Sequence, residues 1–361
     1  MPLKSHGASN HPGVAIIILN YNGLRWLQAC LSSVLKTDYP NYETVLIDNG
    51  SSDGSIEYVR REYGSVRIVS NSTNLGFAEA YNRVVDQVDA EYILLLNNDT
   101  EVLNPSWLTH LVEAASEGGD VGAVTTKLVS MRDRRVLDSV GGAGIPYWRG
   151  FFDVGRGETD IGQYAKGFEP FAYCGGAALI RKSAFVDAGK FDSKFFAQYD
   201  DADLSWRLRL RGWRIAYAPE AEVAHYRGGT AGGGVITPLI LYYCNRNFLR
   251  AIIKNCGSSI SWAVRRYLLY TFLIASAFLI LEPPKSVMLL KGIVWNLRNL
   301  RSTCTARHNV QSKRKVSEKE ILRRMYPGLT RGRSPGHIEL TQIMDVIFDF
   351  SDRAKFQDLI T

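Results

Sequence analysis

Two amides and a carboxylate follow an apolar segment at residues 92–99, which reads YILLLNND. Three leucines lead directly into Asn97, Asn98 and Asp99. A carboxylate at the end of a buried strand can bind a hard divalent cation, which bridges a diphosphate and acts as a Lewis acid. An ordinary turn would use the same residue types, and Asp99 alone does not decide between the two.

A second carboxylate, Asp48, ends the apolar segment TVLID and precedes the turn residues Asn49 and Gly50. Its side chain is placed either to accept the imide N–H of a uracil or thymine ring, or to cap the turn that follows. Both interpretations stay open at this point.

Three acids, Asp200, Asp201 and Asp203, stand at the start of a predicted helix. The free N–H groups and the helix dipole stabilise each such acid by about 0.3–1 kcal/mol, but three acids in four positions exceed what capping needs. Close like charges raise the pKa of one carboxyl group, which then suits a general base. His225 ends a later strand-like segment, where a single histidine is more often a packing residue than a ligand.

Short apolar segments alternate with helix-length segments over the first hundred residues. Their lack of apolar–polar alternation indicates strands that are buried on both faces. We therefore predict an α/β fold, a Rossmann-like, mostly parallel sheet flanked by helices, with ligands beyond the carboxyl ends of the strands. The Gly- and aromatic-rich region 141–176 is predicted to form long loops. The predicted strands are 14–20, 44–49, 66–71 and 92–99, and the helices lie around 23–36, 53–63 and 77–88.

Seven segments in this order resemble the family-two inverting glycosyltransferases with the GT-A fold, especially bacterial rhamnosyltransferases of polysaccharide assembly. They span about 14–234, and no single one would suffice. The segments are IIILNYNGLRWLQACLSSVL, ETVLIDNGSSDGS, NLGFAEAYNRVV, YILLLNNDTEV, CGGAALIRKSAF, FFAQYDDADLSWRLRLRGWRI and EVAHYRGG.

The resemblance implies roles for individual positions. Asp201 would be the catalytic base that deprotonates the acceptor hydroxyl, and Asp99 and His225 would bind a Mg²⁺ or Mn²⁺ ion. The residues expected to bind the nucleotide are Asn20, Tyr21, Asn22, Asp48, Asn74, Gly76 and Asn98. Those expected beside the acceptor and the donor sugar are Cys174, Gly175, Gly176 and Asp200.

The sequence departs from the family pattern at two positions. Asn97 stands where the Asp-x-Asp signature has its first carboxylate, so one negative charge is missing from the expected metal site. Asp200 replaces the commoner glutamate, which shortens the reach of a residue expected to position the acceptor.

The implied reaction is inverting transfer of a sugar from dTDP-rhamnose or a UDP-sugar to a hydroxyl of a glycan or polyprenyl-linked acceptor, in cell-surface polysaccharide synthesis. The alternative is a catalytically silent nucleotide- or carbohydrate-binding protein of the same fold. A nicotinamide-dependent dehydrogenase is disfavoured because the exit of the first strand reads NYNGLRW and lacks G-x-G-x-x-G.

The chain divides by composition into four regions. We expect a flexible tail at 1–11, the GT-A domain at 12–235, a helical, apolar and basic membrane-associating region at 236–301, and a basic linker with a C-terminal helical tail at 302–361. The uncharged run 267–281 has 15 residues, which is short for a crossing that needs about 20. An amphipathic basic helix beyond it can lie in a membrane interface.

The net charge of +7 and the pI of about 9.1 indicate an anionic partner. Much of the charge lies beside apolar residues in the C-terminal region, which favours a membrane surface over nucleic acid. Five cysteines without a C-x-x-C pair indicate a reducing compartment. We therefore expect a cytoplasmic protein that is peripheral on the inner face of the cell membrane, and homo-oligomers are compatible with the sequence.

Overall fold

The computed structural model describes residues 11–145, 150–166, 168–228 and 237–325. The predicted N-terminal tail lies outside these residues except for His11, as do the boundary at 235–236 and positions 326–361 of the C-terminal tail. The strands are β1 (Val14–Asn20), β2 (Tyr42–Asp48), β3 (Arg67–Ser70), β4 (Tyr92–Asn97), β5 (Thr100–Val102), β6 (Val121–Ser130), β7 (Leu137–Ser139), β8 (Gly142–Ile145), β9 (Gly150–Asp153), β10 (Ala177–Arg181) and β11 (Arg214–His225).

The helices of the first two-thirds of the chain flank the sheet, and those of the last third pack on one another. They are α1 (Leu24–Val34), α2 (Ser55–Glu62), α3 (Gly76–Val85), α4 (Trp107–Ser116), α5 (Lys182–Asp187), α6 (Asp200–Leu210), α7 (Pro238–Asn255), α8 (Ile260–Leu281), α9 (Pro283–Arg298), α10 (Leu300–Ser312) and α11 (Glu318–Met325).

The main sheet has nine strands, eight of them in the order β3-β2-β1-β4-β10-β6-β11-β5, with β7 beside β6. Strands β3, β2, β1 and β4 are parallel, as the alternation of strands and helices predicts. Strand β10 runs antiparallel to both of its neighbours, β4 and β6. An antiparallel strand begins at the edge where parallel strands end, so the residues just before β10 lie beside the carboxyl ends of β4 and β6.

The central strands are buried on both faces, which accounts for their unbroken apolar sequences. In β4, Leu94 and Leu96 belong to the core on one side of the sheet, and Ile93 and Leu95 belong to the core on the other side. The sheet is therefore the middle layer of an α/β/α sandwich.

The prediction of long loops over 141–176 is wrong for its first part. Strands β8 and β9 pair as a hairpin there, with Gly142 opposite Asp153. The glycines that suggested a loop are required by packing, since a Cβ atom on Gly144 would lie 3.1 Å from Cγ of Met325. An apolar pattern could not reveal a strand whose core-facing positions are glycine.

The C-terminal region is helical, and the helix that contains the apolar run 267–281 is longer than that run. Helix α8 has 22 residues and meets the length and composition expected of a membrane span. The uncharged run 267–281 is only its later part, because the helix continues back through Arg266 and Arg265 to Ile260.

A buried cluster of charges attaches α7 to α6 and to the chain segment around Asp192. Lys254 Nζ lies 2.6 Å from an oxygen of Asp192 and 2.9 Å from one of Asp203, and Arg250 and Arg207 complete the cluster. Burial opposes the charged carboxylates, but Lys254 and the arginines hold the pKa values of Asp192 and Asp203 below their ordinary range. The stabilisation is therefore present above the unfolded-state pKa of about 4 and is lost as pH falls through the lowered pKa values.

Lys254→Met should destabilise the protein by about 3–5 kcal/mol, because it leaves two carboxylates short of their buried cation. Lys190→Met removes an exposed pair with Asp86 and should cost about 0–1 kcal/mol. Urea unfolding of both variants measures the difference, and equal losses would show that the cluster does not hold α7 in place.

Candidate active site

Polar residues end three adjacent strands at one edge of the sheet. Asn20 of β1 is in register with Asp48 of β2, and Leu19 is in register with Asn97 of β4. The carboxyl ends of these strands therefore form a common floor for a ligand.

Asp48 lines a cavity of about 390 Å³ at the end of β2. One oxygen of its carboxylate accepts a hydrogen bond from the backbone N–H of Ser51 at 3.1 Å. Asn22, which follows β1 and has a positive φ of 49°, accepts a hydrogen bond from the backbone N–H of Ser52, and Tyr21 is half-buried. The other residues that line the cavity are Ser51, Ser52, Gly54, Ser55, Ile56 and Glu57.

Asn20 and Asn98 lie beneath this cavity and bond to each other. Asn98 Nδ2 donates to Asn20 Oδ1 at 2.8 Å, and Asn20 Nδ2 donates to Ser55 at 3.0 Å. Both asparagines are buried, and a Cβ atom on Gly23 would lie only 2.0 Å from Asn98 Nδ2. Their amides join the end of β1 to the residue that follows β4. Their expected role in nucleotide binding stays a prediction.

Asn49 connects the β2 end to the start of α3, where Asn74 and Gly76 stand. Its Nδ2 donates to Asn74 Oδ1 at 2.9 Å and to the Gly76 carbonyl at 3.2 Å. Gly76 has a φ of +76°, and a Cβ atom there would lie 2.4 Å from the carbonyl oxygen of Phe196. Gly76 thus allows the segment that leads into α6 to approach the start of α3 closely.

Asp99 and His225 meet at the far end of the same edge. His225 Nε2 lies 3.3 Å from Asp99 Oδ1 and 3.4 Å from the side-chain nitrogen of Asn97. Two ligands of one cation at about 2.1 Å each stand about 3 Å apart when they are adjacent, so this spacing suits a shared Mg²⁺ or Mn²⁺ ion. An oxygen and an imidazole nitrogen are also donors that Mn²⁺ accepts.

Protein side chains supply few further ligands. Across the four described ranges, no group of three or more His, Cys, Asp or Glu residues could hold a metal ion. Among the described residues, Asp99 and His225 are the pair that would hold a cation.

Asp138, which the sequence did not single out, orients His225. Its Oδ2 lies 2.8 Å from His225 Nδ1, while its Oδ1 accepts from Arg227 Nε at 2.6 Å. Because Asp138 occupies Nδ1, Nε2 is the nitrogen that would bind a metal ion. A carboxylate on the other ring nitrogen is the usual partner of a metal-bound histidine. Arg227 also pairs with Asp153 on β9 at 2.9 Å, and the only sequence signal for it was its place two residues after His225.

The charges around His225 decide its protonation. Burial lowers the pKa of His225, but the carboxylates of Asp138 and Asp99 overcome this and raise it to about 9. The imidazole therefore carries a proton at pH 7 without a metal ion, and a cation must displace that proton. Burial opposes ionisation of Asp138 as well, yet His225 and Arg227 lower its pKa to about 2.

Asp200 and Asp201 begin α6 at the other side of the cleft. Asp201 Oδ2 accepts from the backbone N–H of Gly175 at 3.0 Å, and its Oδ1 accepts from Ala202 N–H at 2.7 Å. Burial raises the pKa of Asp201 above its ordinary value; burial together with the charge of Asp201 raises that of Asp200 to about 8. Asp203 faces away and belongs to the buried cluster on α7.

The dipeptide Gly175–Gly176 joins the two ends of the cleft. Gly175 holds Asp201, whereas a Cβ atom on Gly176 would lie 3.3 Å from Cε1 of His225. The Gly176 carbonyl also accepts from Asn97 N–H at 3.0 Å. Cys174, just before them, is buried and its thiol pKa is raised well above the ordinary value by that burial, so it is not a nucleophile.

Comparison with known proteins gives matches of sequence and of fold. The model of glycosyl transferase family 2 matches residues 15–189. An N-acetylglucosaminyl-diphospho-decaprenol L-rhamnosyltransferase of Mycobacterium tuberculosis is 29% identical over 245 residues, which cover 60% of this chain and 77% of that protein.

Over these residues the chain is similar to glycosyl transferase family 2.

Solved structures show the fold of the chain. A mannosyltransferase, PcManGT from Pyrobaculum calidifontis in complex with GDP-Man and Mn²⁺, matches with a TM-score of 0.51 and 17% identity over 88% of each chain. TarS 1–349 of S. aureus in complex with UDP-GlcNAc matches with a TM-score of 0.53 and 15% identity, covering 89% of this chain and 92% of that one. The expected GT-A fold is confirmed.

Asp138→Asn should lower the pKa of His225 by more than one unit, because it removes the carboxylate that accepts from Nδ1. Histidine NMR titration of the metal-free protein measures this directly. The wild-type imidazole should titrate near pH 9, and divalent cations should bind more weakly as pH falls below that value.

The control is Asp133→Asn, which removes a carboxylate that pairs with exposed Arg135. It should leave the titration of His225 unchanged. An unchanged pKa in Asp138→Asn would show that Asp138 does not act on the imidazole.

Proposed function

We propose that this glycosyltransferase moves a sugar, with inversion, from a nucleoside diphosphate sugar to a hydroxyl group. The observation that carries the proposal is the position of two consecutive glycines: Gly175 donates its N–H to Asp201, and a Cβ atom on Gly176 would lie 3.3 Å from Cε1 of His225. Through these two residues a basic carboxylate and a candidate cation site share one cleft. The cavity beside Asp48 supplies space for a nucleobase at the same edge of the sheet.

The proposed donor is dTDP-rhamnose or a UDP-sugar. The Mycobacterium tuberculosis relative is named a rhamnosyltransferase and the TarS structure contains UDP-GlcNAc, which support these two classes. In either donor the base carries an imide N–H, and the Asp48 carboxylate is placed to accept it.

Asp99 and His225 are the proposed ligands of a divalent cation, Mg²⁺ or Mn²⁺. When bound, such a cation neutralises the charge that builds up on the departing diphosphate. The GDP-Man and Mn²⁺ complex of the Pyrobaculum calidifontis enzyme supports this for the fold. Because Asn97 is neutral, Asp99 is the carboxylate of this corner that would face the cation, and Asp138 holds the imidazole in the required orientation.

Asp201 is the proposed general base. The acceptor oxygen forms a bond to the anomeric carbon while the bond to the diphosphate oxygen breaks, and that electron pair leaves with the nucleoside diphosphate. The hydroxyl proton passes to the Asp201 carboxylate, whose pKa is raised by burial and which is therefore a stronger base than an exposed aspartate. A diphosphate leaves without a general acid, so a single catalytic carboxylate suffices.

The proposed acceptor is a glycan or a polyprenyl-linked sugar in cell-surface polysaccharide synthesis. The relative that acts on a decaprenol-linked substrate supports the lipid-linked class. Such acceptors are displayed at the cytoplasmic face of the membrane, where the apolar and basic helices of region 236–301 would keep the enzyme. Self-association of the enzyme stays a prediction.

The competing function is a silent nucleotide- or sugar-binding protein, and the neutral Asn97 at the metal corner is the feature that favours it. Such a protein would bind nucleotide but leave the donor unchanged.

Asp201→Asn should reduce transfer, and any hydrolysis of the donor, by at least 100-fold, because the amide cannot take the proton. Binding of UDP or dTDP should stay within about threefold, since Asp48 and the cation corner are unaltered. Product formation from UDP-GlcNAc and dTDP-rhamnose with Mn²⁺, and nucleotide binding by calorimetry, measure the two effects.

Asp86→Asn, an exposed change on the catalytic domain, serves as the control and should keep full turnover. Near-normal turnover in Asp201→Asn would refute the assignment of the base. No turnover in wild type with either donor, together with tight nucleotide binding, would favour the silent protein.

A further inference from the structure

The positive charge of the chain is concentrated in residues 256–325. This segment contains thirteen lysine and arginine residues and three glutamates, a formal net charge of +10, which exceeds the +7 of the whole chain. The remaining residues are therefore acidic on balance. The charge belongs to the helices that follow the catalytic domain and not to the nucleotide cleft.

One face of α8 is bound to the protein along its whole length. Ala263, Tyr267, Thr271, Ala275 and Phe278 recur every three or four residues and are all buried. Tyr267 also donates its hydroxyl to Asn245 Oδ1 of α7 at 2.7 Å. The helix is therefore attached to its neighbours from its first turn to its last.

The opposite faces of α8 and α9 expose large apolar side chains. Ile280 is 85% exposed; the exposed apolar residues of α9 recur at intervals of three or four, and those of α8 include two groups, 269–273 and 279–280. Single exposed apolar residues are ordinary, but two parallel rows on adjoining helices are typical of an interaction surface. The docking face consists of Leu269, Phe272, Leu273, Leu279 and Ile280 of α8 with Val287, Leu290, Val294 and Leu297 of α9.

Basic residues flank the docking face. Arg265 and Arg266 precede the exposed row of α8, and Lys291 and Arg298 alternate with the row of α9. Beside them Trp295 is half-buried and lies 4.5 Å from the guanidinium of Arg246. Apolar residues bordered by arginine, lysine and tryptophan are the composition of helices that lie in a lipid headgroup region.

We propose that the docking face inserts into the interface of an anionic bilayer with α8 and α9 parallel to the membrane plane, so that α8 does not cross the membrane. Length and hydropathy alone would permit α8 to span. A crossing, however, would separate its buried row from α7 and α9, break the Tyr267–Asn245 bond and bring Arg265 and Arg266 towards the hydrocarbon.

The contact between the docking face and the bilayer does not depend on catalysis. Its proposed use is to present a lipid-linked acceptor to Asp201, and that use rests on the proposed function. Helix α7 connects the two, because Tyr243 of α7 stacks on Phe196, which precedes the catalytic acids, with ring centroids 5.5 Å apart. The docking face and the base are thus parts of one packed unit.

The test is cosedimentation of the full chain with vesicles of phosphatidylglycerol and phosphatidylcholine, without any nucleotide sugar. Wild type should bind vesicles that contain phosphatidylglycerol at least tenfold better than pure phosphatidylcholine vesicles. The double variant Leu273→Glu, Ile280→Glu should lose at least tenfold in binding. Ile161→Glu, at an 81% exposed position of the catalytic domain, should bind as wild type.

Membranes from expressing cells distinguish the two orientations. Alkaline carbonate should release a protein that lies in the interface, whereas retention after carbonate would mean that α8 crosses and would overturn the proposal. Equal vesicle binding by the double variant and wild type would also overturn it. Two further results would overturn the proposal. One is vesicle binding that appears only after residues 326–361 are removed. The other is a protein that forms dimers through the docking face and binds no vesicles. Because no sugar transfer is measured, a failure of the proposed reaction leaves this result unaffected.

Discussion

The direction of a single strand determines how the candidate site is assembled. Strand β10 runs antiparallel between β4 and β6, so its first residues stand where its neighbours end. Gly175 and Gly176 therefore lie between Asp201, the proposed base, and His225, a proposed cation ligand. A Cβ atom on Gly175 would lie 3.2 Å from Asp201, and one on Gly176 would lie 3.3 Å from His225, so larger side chains here would crowd both groups.

The charged residues of the molecule form three groups: carboxylates with His225 and Arg227, a buried cluster around Lys254, and basic residues on the C-terminal helices. The cleft gathers carboxylates, and two cations, Arg227 and the protonated His225, compensate them through Asp138 and Asp153. A second buried cluster around Lys254 attaches α7, which in turn carries α8 and α9. The surplus of positive charge lies on α8 and α9 and on the helices that follow them. In our proposal one end of the molecule would accept a metal–nucleotide complex while the other end would face an anionic surface.

Much of the fold follows from the sequence, because buried parallel strands with polar ends have a recognisable pattern. The ends at Asn20, Asp48 and Asn97 were correctly expected at one edge. Asp138 could not be expected, since it lies on a three-residue strand 87 positions from its partner His225. Nor does the sequence distinguish a polar residue that faces the ligand from one that bonds to a neighbouring loop; the buried Asn20–Asn98 pair shows the second arrangement, so their nucleotide role stays a prediction.

The central claim is that one carboxylate and one imidazole hold a cation once a diphosphate is present. Electron paramagnetic resonance titration of Mn²⁺, with and without UDP, tests it most directly in wild type and in Asp99→Asn. Our account predicts that UDP tightens Mn²⁺ binding to wild type at least tenfold and that Asp99→Asn loses this enhancement. An equal enhancement in both proteins would contradict it and place the metal elsewhere.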